Sequence, residues 1–323
     1  MELLVNDLSF QRQFKDIASF RGAIERLMVI RQVAMQYGWP IYCHRAISHA
    51  AVTPTMNMPQ AVQTMTQSER RAILQWVTQL GPFWDDERNH SPDDWFEWND
   101  QIVTDSAVGE AAWFCLNGID HGLVSLTPSD WEFSPVPVEI LNDTVPRKSV
   151  DVQNYWDPAA AEAVLKAAPA PLPSWGHLEQ VSPTRFPNLS FAADAFAPLV
   201  GYPFAPGAAN RLLFILKTLN HFKTCFDSNG ERTAEGHEIY RNFFTGKKGE
   251  GGRGALFSDS SDGEKNDFEM KLTFKHPIEP GKSLFCPWHG KVQTPPLRVH
   301  FSWPVRANEP ILIVYVGPKL TIR

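Results

Sequence analysis

The densest group of chemically capable side chains in this 323-residue sequence lies in its last forty or so residues, from Ser283 to Arg323: His289, Lys291, Arg298, His300, Tyr315 and Lys319. Imidazoles among cations suit one chemistry in particular. Cutting RNA through its own 2′-hydroxyl needs no metal; it needs a base near that hydroxyl, cations for the phosphorane charge and an acid for the leaving oxygen. On that scheme His300 serves as base or acid, His289 as its complement, and Arg298 with Lys291 as the electrostatic clamp. The same side chains equally suit a solvated sheet face, or a basic surface paired with the acidic part of the chain.

Other stretches offer weaker chemistry. Between Pro82 and Asp100 the acidic residues Asp85, Asp86, Glu87, Asp93, Asp94 and Glu97 stand with His90 among three tryptophans. Hard cations want several carboxylate oxygens, so a divalent site and a metal-dependent hydrolase are one reading; a solvated loop anchored by its tryptophans is the other. Glu110, alone on an apolar helix, is either a buried general base or an exposed or capping carboxylate. His221 and Cys225 stand four apart on a helix and make half a metal site, or a hydrogen-bonded histidine beside a core cysteine. The glycine-rich loop at Tyr240 to Gly254 carries Lys247, Lys248 and Arg253, which could touch a nucleic-acid backbone. It lacks the Walker A order. Ser258, Ser260 and Ser261 among Asp259 and Asp262 read as helix caps, since no histidine base is spaced to make them nucleophiles. No cofactor motif and no complete metal-ligand set is legible.

The elements that must position these residues follow from periodicity and punctuation. Phe20 to Tyr37 has apolar residues at helical spacing and stops at Gly38 before Trp39-Pro40. Thr66 and Glu69 form a capping-box pattern for a second helix that Gly81-Pro82 ends. Ser106 to Asn117 reads as a helix, Gly122 to Leu126 and Pro137 to Leu141 as strands, and Asp157-Pro158 as the start of another helix. Pro169 to Trp175 is a stiff extended connector. Asn210 to Phe226 is a strong helix, and a helix is expected over Lys265 to Phe274. Three antiparallel strands close the chain: Ser283 to Val292, Leu297 to Trp303 and Ile311 to Gly317. In the middle one Arg298, His300 and Ser302 alternate with apolar residues, so the polar trio shares a face that Lys291 and Tyr315 can reach. The fold class is therefore α+β. A helix-rich acidic N-terminal domain (1–168) is followed by a Pro-rich connector (169–189) and a basic domain (190–323) whose small antiparallel sheet packs on helices.

Composition sets the outer limits. The hydrophobic fraction of 43% with 20% charged residues is that of a soluble globular chain. The net charge of −6 hides an asymmetry: 17 Lys and Arg against 12 Asp and Glu from Gly201 onward, but 13 against 24 before it. A basic C-terminal part suits nucleic acid, or docking on the acidic part. The four cysteines form no CxxC pair and read as reduced thiols. With no leader pattern and no apolar run of membrane-spanning length, the expected location is cytoplasmic, with no membrane partner.

The Gly-Lys strand end, the "LRVHF" strand and the "ILIVYVGPK" strand together resemble the final sheet of the RelE and ParE toxin superfamily, over about 40 of the 323 residues. RelE-type members are ribosome-dependent messenger-RNA endonucleases; ParE-type members lack that activity. The resemblance implies that Lys291 sits with residues binding RNA phosphate, that Arg298 stabilises the transition state, and that Tyr315 or Lys319 lies near the scissile bond. The first 200 residues have no counterpart in those compact toxins. The whole chain also looks like bacterial proteins of mobile-element and phage-defence neighbourhoods. The expectation is a toxin-like or defence-associated protein that binds RNA through its C-terminal sheet, with metal-independent cleavage as the further activity its side chains allow, and that meets a partner protein such as an inhibitor. The alternative is a non-catalytic recognition or adaptor subunit.

Overall fold

The computed structural model describes residues 2–90, 94–141, 148–245 and 255–321. The chain divides into two units, Met1–Pro171 and Leu172–Arg323.

In the first unit, β1 (Glu2–Val5) is wholly apolar after its first residue and sits inside the sheet. Asp16 and Ser19 cap each other's backbone amides to start α1 (Ile17–Gln36), which buries Phe20, Ile24, Leu27, Ile30 and Ala34. Gly38, at φ +77°, lets the chain turn out of it. Then follow β2 (Ile41–Tyr42), α2 (Met58–Gln63) and α3 (Gln67–Gln75); α3 starts at the Thr66–Glu69 capping box and ends in a π-helical turn. β3 (Trp95–Trp98), β4 (Gln101–Ile102), α4 (Ala107–Leu116), β5 (His121–Val124), β6 (Val136–Leu141), β7 (Lys148–Tyr155) and α5 (Pro158–Ala167) complete the unit. Among the described residues these strands form a seven-stranded sheet in the order β2-β1-β5-β7-β6-β3-β4. The β2-β1-β5-β7 part is parallel and the remainder antiparallel. The two strands expected at 122–126 and 137–141 are not neighbours, because β7 lies between them.

The second unit opens with α6 (Trp175–Arg185), where the sequence suggests connector. Ser174 accepts the amide of His177 and caps it, and Trp175, Leu178 and Ser182 are buried, so the stiff proline run stops before Ser174. β8 (Leu189–Phe191), α7 (Pro206–Thr224), α8 (Ala234–Ile239), β9 (Phe257–Ser258) and α9 (Asp262–Asp267) follow. The helix expected over 265–274 is only this short: a 3-10 turn leads from it into β10 (Thr273–Lys275), which pairs with β11 (Ser283–Phe285). The strand expected over 283–292 is broken in two. Pro287 offers no amide to a ladder, and the chain leaves the hairpin there to enter β12 (His289–Val292). β13 (Leu297–Phe301) and β14 (Ile311–Pro318) complete a sheet in the order β8-β14-β13-β12-β9. β8 runs parallel to β14, and the rest is antiparallel. The expected three strands are thus its centre, extended on both sides.

Helix α7 packs against β12, β13 and β14. Gly290 is what permits the approach: a Cβ there would lie 2.6 Å from Ile215 Cγ2 and 3.1 Å from the Phe257 ring. Gly290→Ala is accordingly expected to cost about 1–3 kcal/mol of overpacking, read as a lowered thermal midpoint. An unchanged midpoint would show that α7 can be displaced without cost.

Candidate anion-binding site

Strand register decides what the polar side of the second unit's sheet presents. His289 stands opposite His300, and His300 opposite Tyr315. One step along, Lys291 stands opposite Arg298, and Arg298 opposite Gly317. The fold therefore brings His289, Lys291, Arg298, His300 and Tyr315 onto one face, with His289 and His300 rings 5.2 Å apart and His300 and Tyr315 rings 5.7 Å apart.

That face is closed at His289, Arg298 and His300 and stays partly exposed at Lys291 and Tyr315. Arg298 and His289 are each 8% exposed and His300 is 2% exposed. The β10–β11 hairpin lies over it, with the Phe274 ring 5.7 Å from His300 and 6.0 Å from Tyr315. Main-chain carbonyls hold the imidazoles. His300 Nδ1 donates to Cys286 O at 2.8 Å and His289 Nδ1 to Pro287 O at 3.1 Å, which leaves each Nε2 as the acceptor. The Tyr315 hydroxyl donates to Pro318 O at 2.6 Å, in space that Gly317 leaves: a Cβ on Gly317 would come within 2.9 Å of it.

Burial governs the protonation states. It lowers His300 to about 3, helped by His289, and His289 to about 4, helped by Arg298 and Lys291. Both imidazoles are neutral at pH 7, weak as bases and unable to act as the acid that the sequence scheme assigns to one of them. Burial also raises Tyr315 to about 12. In an unfolded chain histidines titrate near 6.5, so the unfolded state takes up protons first as the pH falls. This contribution to stability is whole above about pH 6.5 and drains away toward the folded values. The second unit is expected to lose up to about 1.4 kcal/mol per pH unit for each histidine below pH 6. Denaturant midpoints between pH 7 and 5, above the carboxylate range, check this; a flat profile there contradicts it.

The cations are the anomaly. Like charges directly opposite each other across strands repel. Lys291 and Arg298 occupy such a pair with Lys291 half-buried, and burial followed by Arg298 lowers its pKa. Burial lowers that of Arg298 too. Among the described residues neither forms an ion pair. Arg298 Nη1 donates to Val292 O and Leu297 O, at 3.0 and 2.8 Å, while its Nε is buried with no acceptor. The carboxylate whose charge both cations feel is Glu264 of α9, a residue that the sequence reading did not single out although Ser261–Glu264 forms a capping box. Its carboxylate is already engaged: Thr321 Oγ1 donates at 2.7 Å and Lys319 Nζ lies 3.4 Å away. These partners, with the Ser261 amide, hold Glu264 down at about 2. Lys319 is thus spent on Glu264. Lys247, Lys248 and Arg253 lie outside the described residues.

Many of the first unit's polar groups are satisfied internally, although His44 Nδ1, His121 Nδ1 and the indole nitrogens of Trp76 and Trp84 are buried without a hydrogen-bond partner among the described residues. Carboxyl ends of parallel strands, where strand order reverses, are the usual ligand crevice of open α/β sheets. Here Asn6 Nδ2 donates to Ser125 Oγ, which donates to Asn154 Oδ1, and Asn154 Nδ2 donates to Trp131 O and Phe133 O. Asp7 accepts the Ala107 amide at 2.7 Å and so caps α4, where Ser106 makes no cap bond. In the 82–100 segment Arg45 grips Asp86 with two bonds and gives its amide to Asp85, so these carboxylates serve Arg45. Glu110 is 1% exposed. It accepts His90 Nδ1 at 2.5 Å and both the amide and Nδ2 of Asn89, while His90 Nε2 lies 2.6 Å from Thr104 O. Burial alone would raise the Glu110 carboxyl; His90 and Asn89 outweigh it and hold it low. The pair is a lock between α4 and the 84–90 segment, closed to any substrate.

No helix among the described residues is long and apolar enough to cross a membrane. Compared with protein-family models, with curated proteins and with solved structures, the chain matches none, and the likeness to the RelE and ParE superfamily rests on the strand patterns alone.

Proposed function

We propose that the second unit binds RNA by seating a backbone phosphate between Lys291 and Arg298. The observation that carries this reading is the pair itself: two cross-strand cations, mostly removed from water, with no carboxylate of their own and an orphaned Arg298 Nε. Leaving such charges uncompensated costs several kcal/mol, which a phosphate with several acceptor oxygens repays on binding. The resemblance to the RelE-type sheet points to the same two positions. Of the two activities expected from the sequence, binding has the support of geometry. For cleavage, His289 and His300, lowered to about 4 and about 3, are weak bases toward a 2′-hydroxyl, and neither imidazole nor the bonded Tyr315 hydroxyl is a ready acid.

Fluorescence anisotropy of a labelled single-stranded RNA oligonucleotide tests this. The wild-type chain should bind it and leave it intact, and Arg298→Met should bind at least roughly tenfold more weakly, since a charge-assisted bond contributes about 1.5–3 kcal/mol. Undiminished binding by a folded Arg298→Met would exclude the site. A second reading, recognition of a partner protein by the first unit, draws on Trp95 and Ile102, exposed on β3 and β4 at the edge of the seven-stranded sheet.

A further inference from the structure

Away from the polar sheet face, the end of α7 and the start of α8 bring together three side chains of the types that hold zinc. His221 lies in the last turn of α7, Cys225 follows that helix as its cap, and Glu235 is in the first turn of α8. One donor atom from each, an imidazole nitrogen, the thiol sulfur and a carboxylate oxygen, lie within 4.8 Å of one another. The sequence shows the i, i+4 half of this set; the third member, ten residues on, becomes visible only once the chain has turned back.

The turn is tightly built. Phe226 and Arg232 pair across it, Asp227 accepts the amides of Asn229 and Glu231, and the Thr233 amide donates to Cys225 O. Thr233 Oγ1 accepts the Gly236 amide and caps α8. Gly236 then packs on Cys225 so closely that a Cβ would lie 2.6 Å from Cys225 O and 3.0 Å from Cys225 Cβ. These contacts fix α8 against the end of α7, and Glu235 already reaches His221 Nε2 at 3.1 Å without a metal. Cys225 is 2% exposed, whereas His221 and Glu235 are open to solvent. A metal would have its sulfur ligand on the protein side and a free position facing water.

We propose that His221, Cys225 and Glu235 bind a zinc-class divalent ion, with water as the fourth ligand. One nitrogen, one sulfur and one oxygen donor form a borderline-soft set that suits zinc or cobalt and excludes magnesium and calcium, which take oxygen alone. The preformed turn means that little ordering is needed on binding, and three protein ligands leave the open tetrahedral position typical of reactive zinc. This site stands independently of RNA binding.

Cobalt is the probe, added to the metal-free full-length chain under reducing conditions. A thiolate-to-cobalt charge-transfer absorption saturating at one equivalent, erased by zinc and untouched by excess magnesium, is the expected result. Cys225→Ser should abolish the band. His221→Ala and Glu235→Gln, both at exposed positions and so expected to fold, should weaken cobalt binding by more than the roughly 10–100-fold that losing an outer-shell partner costs in known sites. Zinc should also raise the thermal midpoint of the wild type and leave that of His221→Ala unchanged. No charge-transfer band, or a band that survives Cys225→Ser because another cysteine supplies the sulfur, overturns the proposal, as does undiminished affinity in both His221→Ala and Glu235→Gln.

Discussion

Glu110→Ala should destabilise the first unit by about 3–5 kcal/mol, because it takes the acceptor from several buried donors and opens a void. The loss has three parts. The His90 ring keeps no carboxylate at Nδ1, the Asn89 amide and Nδ2 lose their acceptor, and the void lies among the apolar residues of α4. Glu110→Gln, which keeps the shape and an acceptor, should cost less. Replacing Glu110 and His90 together by apolar residues should recover part of the loss, because a buried pair is expensive to break and often neutral to replace whole. Calorimetric unfolding of the full chain reads all three. A loss under about 1 kcal/mol for Glu110→Ala would mean that water reaches the pair.

At Lys291 two effects of opposite sign are expected from one substitution. Lys291→Met removes a half-buried cation that faces Arg298 and has no ion-pair partner among the described residues. The folded chain should gain up to about 1 kcal/mol in a buffer free of phosphate, since opposed like charges cost energy of that order. RNA affinity should fall roughly ten- to hundredfold, because the lost amine is a charge-assisted donor to phosphate. Stability bought at the expense of binding is the signature of a residue kept for a ligand. A structural lysine would lose stability when replaced, and a plain surface lysine would change neither. Arg298 is a poorer reporter of the trade, because its Nη1 also holds the Val292 and Leu297 carbonyls.

What was legible in the sequence is what local chemistry decides. The Thr66–Glu69 capping box, the Asp157-Pro158 start and the alternation in Leu297–Phe301 each specify an element through contacts a few residues long, and each forms where expected. The cross-strand rows of the polar face follow from the same alternation. Its burial does not, because the cover is the Thr273–Phe285 hairpin, whose position depends on Pro287 breaking a strand that otherwise reads as continuous. β7 escaped notice because KSVDVQNY has mostly polar residues, though it lies between β5 and β6 in the sheet. The partners of Glu110 lie twenty and more residues away with no spacing to announce them, and Glu264 gave only its capping pattern. Long-range pairing of polar groups, rather than helix or strand type, is where local patterns run out.

The central claim, that Lys291 and Arg298 form a phosphate seat, is tested most directly by the salt dependence of RNA binding in the wild type and in Lys291→Met. Each neutralised phosphate releases counterions, and its loss lowers the slope of log affinity against log salt by about 0.7 for a single strand. The expected result is a steeper slope for the wild type by about that amount, with the variant folded and at least as stable. Parallel slopes of equal affinity would contradict the account, because RNA would then be bound elsewhere or not by a phosphate contact at Lys291.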